Sequence, residues 1–201
     1  LGVTNGVNGV NLAGADTTFS TTATGNLTGS DFSAVRVTGA GSTVNNLGSI
    51  TNASPNGDGI GAGVLSQTTS GSNVINNGSA SNGTASLTGS FDGIRNNNAA
   101  GATLTVNNWG LINGANFNGV QGGVVGSILN VNNNASGTIS GQFGGVLGQG
   151  LITVVNAGTI SSASGSGIQA YNGSLSVTNQ AGGLINGPAY GIDAGNGVTL
   201  S

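Results

Sequence analysis
Apolar and polar side chains alternate along this chain in short runs, each cut off by Gly or Asn and each returning at a nearly fixed interval. The fullest copy is Leu104-Thr105-Val106-Asn107-Asn108-Trp109-Gly110-Leu111-Ile112-Asn113-Gly114. Its Val-x-Asn half recurs as Val44/Asn46, Val74/Asn76, Val106/Asn108, Val131/Asn133, Val154/Asn156 and Val177/Asn179, at steps of 30, 32, 25, 23 and 23 residues. A Gly-x-Ile step follows each, as Gly48-Ser49-Ile50, Gly110-Leu111-Ile112, Gly137-Thr138-Ile139, Gly158-Thr159-Ile160 and Gly183-Leu184-Ile185, with Gly78-Ser79-Ala80 a weaker copy. Gly followed by Ile or Val makes a third step at Ile60, Ile94, Val120, Val146, Ile168 and Ile192. Period-2 alternation bounded by Gly and Asn marks short strands joined by tight turns. Each repeat therefore predicts three strands.

Alternate side chains of a strand point the same way, so the apolar residues and Asn108 of Leu104-x-Val106-x-Asn108 share one face. A repeat this short cannot bury that face alone. Coils stacked at about 4.8 Å per turn bury it in one continuous core and pair every strand with its copies above and below. The expected fold is all-β, a right-handed parallel β-helix (β-solenoid) of about eight coils of three short strands; the hand follows from the preference of parallel crossovers. Asn46, Asn76, Asn108, Asn133, Asn156 and Asn179 are expected to form an inward ladder, each amide bonding its copies one coil away and turn backbone that would otherwise be buried unpaired. The competing reading is that Asn serves only to tolerate left-handed turn conformations.

Composition narrows the class. With 41 Gly and 3% charged residues among 201, the chain departs from ordinary globular usage, yet 36% hydrophobic content without high net charge is not that of a disordered chain. Collagen is excluded by the missing Gly-x-y triplet and helices by the missing 3.6 period. A net charge of −3 with only Arg36 and Arg95 positive offers nothing to neutralise phosphates, which argues against nucleic acid as a partner. The absence of Cys excludes disulfides and thiolate metal sites. The lack of any eighteen-residue apolar run argues against membrane insertion by this segment.

The chain reads as one solenoid domain, 1–201, with irregular first coils over 1–42, long coils with corner loops over 43–102 and regular coils over 103–201. The loops are placed at 52–58, 63–72 and 82–91, which would make those corners the variable, contact-prone face. Neither end reads as a cap. Two expectations compete: a segment of a longer solenoid, or copies stacking end to end into a fibre.

Candidate chemistry is sparse, since there is no His, Cys, Glu or Lys to act as base, nucleophile activator or soft ligand. Asp58 and Asp92 each precede the Ile of a third step by two residues, so they are expected to be neighbours on adjacent coils, with Arg95 beside them. They make a weak candidate calcium site and a distant imitation of the Asp-and-basic-residue centre of solenoid polysaccharide lyases; the plain alternative is a local ion pair. No metal or other cofactor is expected. Phe91, Phe117 and Phe143 each stand three residues before a third-step apolar residue and should stack along consecutive coils. Internal packing is the expected role of such a stack, and a strip for sugar rings or a partner surface the sharper one. Trp109 follows the inward Asn108, faces out or half out, and is a possible contact residue.

The strings Asn108-Trp109-Gly110-Leu111-Ile112 and Asn156-Ala157-Gly158-Thr159-Ile160, with the Gly-Ile pairs at Ile168 and Ile192, resemble the passenger region of Gram-negative autotransporters. The resemblance implies export to the bacterial surface or extracellular space and a role as surface adhesin, aggregation factor or stalk. The functional expectation is thus a non-enzymatic structural or adhesive module that associates with itself, side to side or end to end, or meets a glycan or other cell-surface partner. A fibre subunit is the alternative, and a lyase-like enzyme the distant one.

Overall fold
The computed structural model describes residues 8–30, 32–54, 61–195 and 199–200. Every described element is a strand, and the strands wind as a parallel β-solenoid. Turn one holds β1 (Asn8–Leu12), β2 (Thr18–Ser20) and β3 (Asn26–Gly29); turn two holds β4 (Ser33–Val37), β5 (Thr43–Asn46) and β6 (Ser49–Asn52). Turn three holds β7 (Ala62–Ser66), β8 (Ser72–Asn77) and β9 (Ser86–Gly89); turn four holds β10 (Ile94–Asn96), β11 (Thr103–Asn108) and β12 (Leu111–Gly114). Turn five holds β13 (Asn118–Gln121), β14 (Ile128–Asn133) and β15 (Thr138–Gly141). In turns six and seven the first two strands fuse, as β16 (Gly144–Asn156) before β17 (Thr159–Ser162) and β18 (Ser166–Asn179) before β19 (Leu184–Asn186). An eighth turn begins with β20 (Ile192–Ala194) and β21 (Thr199–Leu200). The described chain thus completes seven turns of the eight expected.

Three rows of strands result. The third strands of the turns form a seven-stranded sheet, and the first and second strands belong to a 14-stranded sheet that bends where β16 and β18 cross the corner. The first row stacks Val35, Val64, Ile94, Val120, Val146 and Ile168, all fully buried. Val64, not Ile60, fills that column in turn three, and Ile60 lies outside the described residues. The second row stacks Val44, Ile75, Val106, Val131 and Val154; the third stacks Ile50, Leu87, Ile112, Ile139 and Ile160. These residues make one uninterrupted core.

Turn three departs most from the expected layout. The stretches expected as loops at 63–72 and 82–91 contain most of β7 and all of β9, and the loop expected at 52–58 is described only as far as Ser54. The extra residues of turn three sit instead at 78–85, closed by a Ser79–Asn82 pair of backbone hydrogen bonds. The third strand of this turn is Ser86-Leu87-Thr88-Gly89, so Gly78-Ser79-Ala80 belongs to the insertion and is not a copy of the Gly-x-Ile step.

Candidate functional site
The inward ladder is present with one substitution of position. It runs Asn46, Asn77, Asn108, Asn133, Asn156 and Asn179, each amide N–H donating to the next Oδ1 at 2.8–2.9 Å. The same amides donate to the backbone carbonyls of Ser86, Leu111, Thr138, Thr159 and Leu184, the first residues of the third-row strands one turn on. The ladder therefore ties the second row to the third across the corner. Thr21 starts it, its Oγ1 donating to Asn46 Oδ1 at 2.7 Å.

Asn76, expected in this ladder, is one residue off. It pairs with Asn45 and Asn107 on the outward face, where Asn45, Asn76, Asn107 and Asn132 form a second, half-exposed ladder at 2.8 Å. Val74 and Ile75 suit a core column equally well, so the alternation of β8 does not choose its own face. The pairing with β5 and β11 puts Ile75 inward, and a one-residue slip moves every side chain to the other face. Asn73 then falls in the column of Leu104, where it is buried and holds the Ser42 N–H at 3.0 Å and Ser66 Oγ at 3.2 Å.

Phe91, Phe117 and Phe143 do line up, at the corner between the third and first rows. Backbone bonds set the column, Phe117 N–H to Phe91 O at 3.1 Å and Phe143 N–H to Phe117 O at 2.9 Å. The first two rings stack at 4.6 Å and 17°, and the third meets the second edge-on at 5.5 Å and 61°. The expectation of internal packing is corrected: Phe91 and Phe117 are half-buried and Phe143 is 49% exposed, because the corner turns these side chains away from the core. A shallow groove of about 410 Å³ lies beside this corner, crossing turns four to six over Asn113, Ser140, Ser161 and Ser162 with Gln142 at its edge. A second cavity, of about 530 Å³, lies at turn one between Val10, Phe19 and Leu27.

Directly behind the Phe column is a buried ion pair. Asp92 is fully buried, its Oδ2 accepting from Arg95 Nε at 2.7 Å and its Oδ1 from the Asn118 backbone N–H at 3.2 Å. Arg95 also lies 5.4 Å from the centre of the Phe91 ring. Burial pushes the Asp92 carboxyl up to about 6, against the pull of the Arg95 charge and of the hydrogen bonds from Asn118 and Arg95. In turn three Ala62 takes the position two residues before the first-row apolar residue that Asp92 takes in turn four, and Asp58, the expected neighbour of Asp92, lies outside the described residues. With Arg95 on its carboxylate, Asp92 is built for a guanidinium and not for a metal cation. Among the described residues no three His, Cys, Asp or Glu gather in a group able to hold a metal. Trp109 is half-buried against the turn-three insertion: its backbone N–H donates to Asn77 O at 2.8 Å, its backbone carbonyl accepts from Ser136 Oγ at 2.7 Å, and a Cβ at Gly78 would stand 3.1 Å from its own Cβ.

No protein family, curated protein or solved structure matches the chain. What the site can do is therefore read from its geometry. A fully buried, ion-paired carboxylate touches no substrate, whereas the rings and amides of the corner stand at the surface. Sequence reasoning missed the outward Asn ladder and the Arg95–Phe91 contact. The doublets Asn45-Asn46, Asn76-Asn77, Asn107-Asn108 and Asn132-Asn133 carried the signal for the first, since aligning whole doublets puts Asn77 in the inner column.

Proposed function
We propose that this chain is a non-enzymatic, extracellular rod module, a surface adhesin or stalk, that associates side to side through the corner of Phe91, Phe117 and Phe143 and its adjoining polar groove. The observation that carries the reading is the row of rings held in register by backbone bonds on a continuous core, with Phe143 half out of the surface. Such a corner presents a pre-ordered apolar edge, so little side-chain freedom remains to be lost on contact. The ring geometry also favours a protein surface over a sugar. Phe91 and Phe117 each turn one face to the other, which takes part of the flat surface on which a pyranose would lie. Export to a cell surface rests on the autotransporter-like strings and on the absence of Cys.

Beads carrying the chain at high density are expected to clump, and beads carrying Phe117→Ala/Phe143→Ala to clump several-fold less while retaining the β-sheet circular dichroism spectrum. Wild-type beads that stay dispersed would sink the reading. Long fibres seen by electron microscopy, undiminished in the double variant, would replace it with end-to-end stacking.

A further inference from the structure
The geometry points to Asp92 as a proton-operated latch at the aromatic corner: on taking up a proton it gives up its bond to Arg95 and turns its new O–H to the Asn118 side chain. This inference stands whether or not the corner is a contact surface.

In the ionised state Asp92 accepts from Arg95 Nε and the Asn118 backbone N–H, and Arg95 is drawn back against Phe91. Neutralising the carboxyl removes the charge attraction between the two groups, and the half-buried Arg95 side chain stands next to water. The protonated acid gains an acceptor when the Asn118 amide turns over. Asn118 Oδ1 is buried without a partner, while the other end of its amide donates to Gln121 Oε1 and lies within hydrogen-bonding reach of Asp92. Above Asn118 the next turn places Gly144, which has no side chain to hold the amide from that side. Turning the Asn118 amide over gives the Asp92 O–H an acceptor in Oδ1, in exchange for the Nδ2 bond to Gln121 Oε1 and, as Gln121 follows, the Nε2 bond to the Gly122 carbonyl.

The surroundings isolate this event. On the turn-three side Asp92 faces Gly61, Ala62 and Gly63, and on the turn-five side Phe117, Asn118 and Gln121; among the described residues Arg95 is the charged group acting on it. The chain holds no His and no Glu, so proton uptake by a side chain between pH 5 and 7.5 reports on an Asp. Burial places the Asp92 transition in this window, at about 6.

Carbon- and nitrogen-detected NMR of the whole chain tests the latch. The Asp92 carboxyl is expected to titrate with a midpoint near 6, and the Arg95 Nε–H signal to move with the same midpoint. Arg36 Nε, which donates to Gln67 Oε1 at 2.9 Å, is the internal control and is expected to stay put. Arg95→Gln, which removes the attraction but keeps an amide, is expected to move the Asp92 midpoint upward by a unit or more. An Asp92 midpoint at or below 4.5, an Arg95 signal that ignores the Asp92 titration, or an unchanged midpoint in Arg95→Gln would each overturn the proposal.

Discussion
Asn76 and Asn77 are chemically identical neighbours with opposite surroundings, which makes them a clean test of what the ladder contributes. Asn77 is fully buried, accepts from Asn46 and donates to Asn108 and to the Leu111 carbonyl. Asn76 is half-exposed, and water can replace its bonds to Asn45 and Asn107. Asn77→Ala removes the buried bonds that Asn46 and Asn108 make to it and one bond to the Leu111 carbonyl, at an expected cost of about 1–3 kcal/mol, whereas Asn76→Ala is expected to cost less than about 1 kcal/mol. Chemical denaturation of the two variants checks this, and equal midpoints would show that the inner ladder does not hold the turns together. At this scale the sequence was legible wherever one face of a strand was unambiguously apolar, as in Leu104-x-Val106-x-Asn108. It was not legible in Ser72-Asn73-Val74-Ile75-Asn76-Asn77, where either face presents a β-branched residue and an Asn. Only the neighbouring strands decide there, and pairing register is a property of three turns and not of one.

The strands themselves are short and intrinsically weak; the corners set their spacing. At the corner between the second and third rows the turns approach so closely that a Cβ on Gly158 would sit 2.2 Å from the Gly137 carbonyl oxygen, a backbone atom that cannot swing aside. Gly101 is the contrasting case, with a φ of +79° and nothing within 4 Å of the position a methyl group would take. Gly158→Ala is accordingly expected to destabilise by roughly 2–3 kcal/mol through overpacking between turns, and Gly101→Ala by about 1 kcal/mol through backbone strain alone. Thermal melts of both variants measure the difference; a harmless Gly158→Ala would mean that the turns are not held at van der Waals contact there. The repeating Gly-x-Ile step made this corner visible in the sequence for turns two and four to seven. In turn three the insertion at 78–85 displaced the step to Ala85-Ser86-Leu87, with Ala in the Gly position, and the motif could not be found by its letters. The Phe column was legible as a column, three residues before a core position in each turn. Its exposure was not, because alternation describes strands and these residues lie on a corner where alternation lapses.

The described residues form a rod of seven turns, about 34 Å long at the usual spacing between paired strands, whose polar residues are mostly uncharged Asn, Ser and Thr. Among the described residues Asp92 is the buried ionisable group whose pKa moves most, and it is expected to dominate the pH dependence of stability. The Asp92 carboxyl is raised from 3.8 to about 6 on folding, so between those values the folded chain binds the proton that the unfolded chain has released. Unfolding free energy therefore rises as pH falls through 6, levels off near 4, and is lowest above 6 where the ionised group must be kept buried. A shift of this size corresponds to a gain on the order of 3 kcal/mol between pH 7.5 and 4, opposite in sign to the acid loss of a protein whose carboxylates are stabilised by surface pairs. Asp92→Asn keeps the shape, removes the proton, and is expected to melt at nearly the same temperature from pH 7.5 to 5, above the wild type at pH 7.5. Calorimetric melts across this range at fixed ionic strength decide the matter: a wild-type melting temperature that falls with pH over 7.5 to 5 would mean that Asp92 is better compensated by Arg95 than its burial allows.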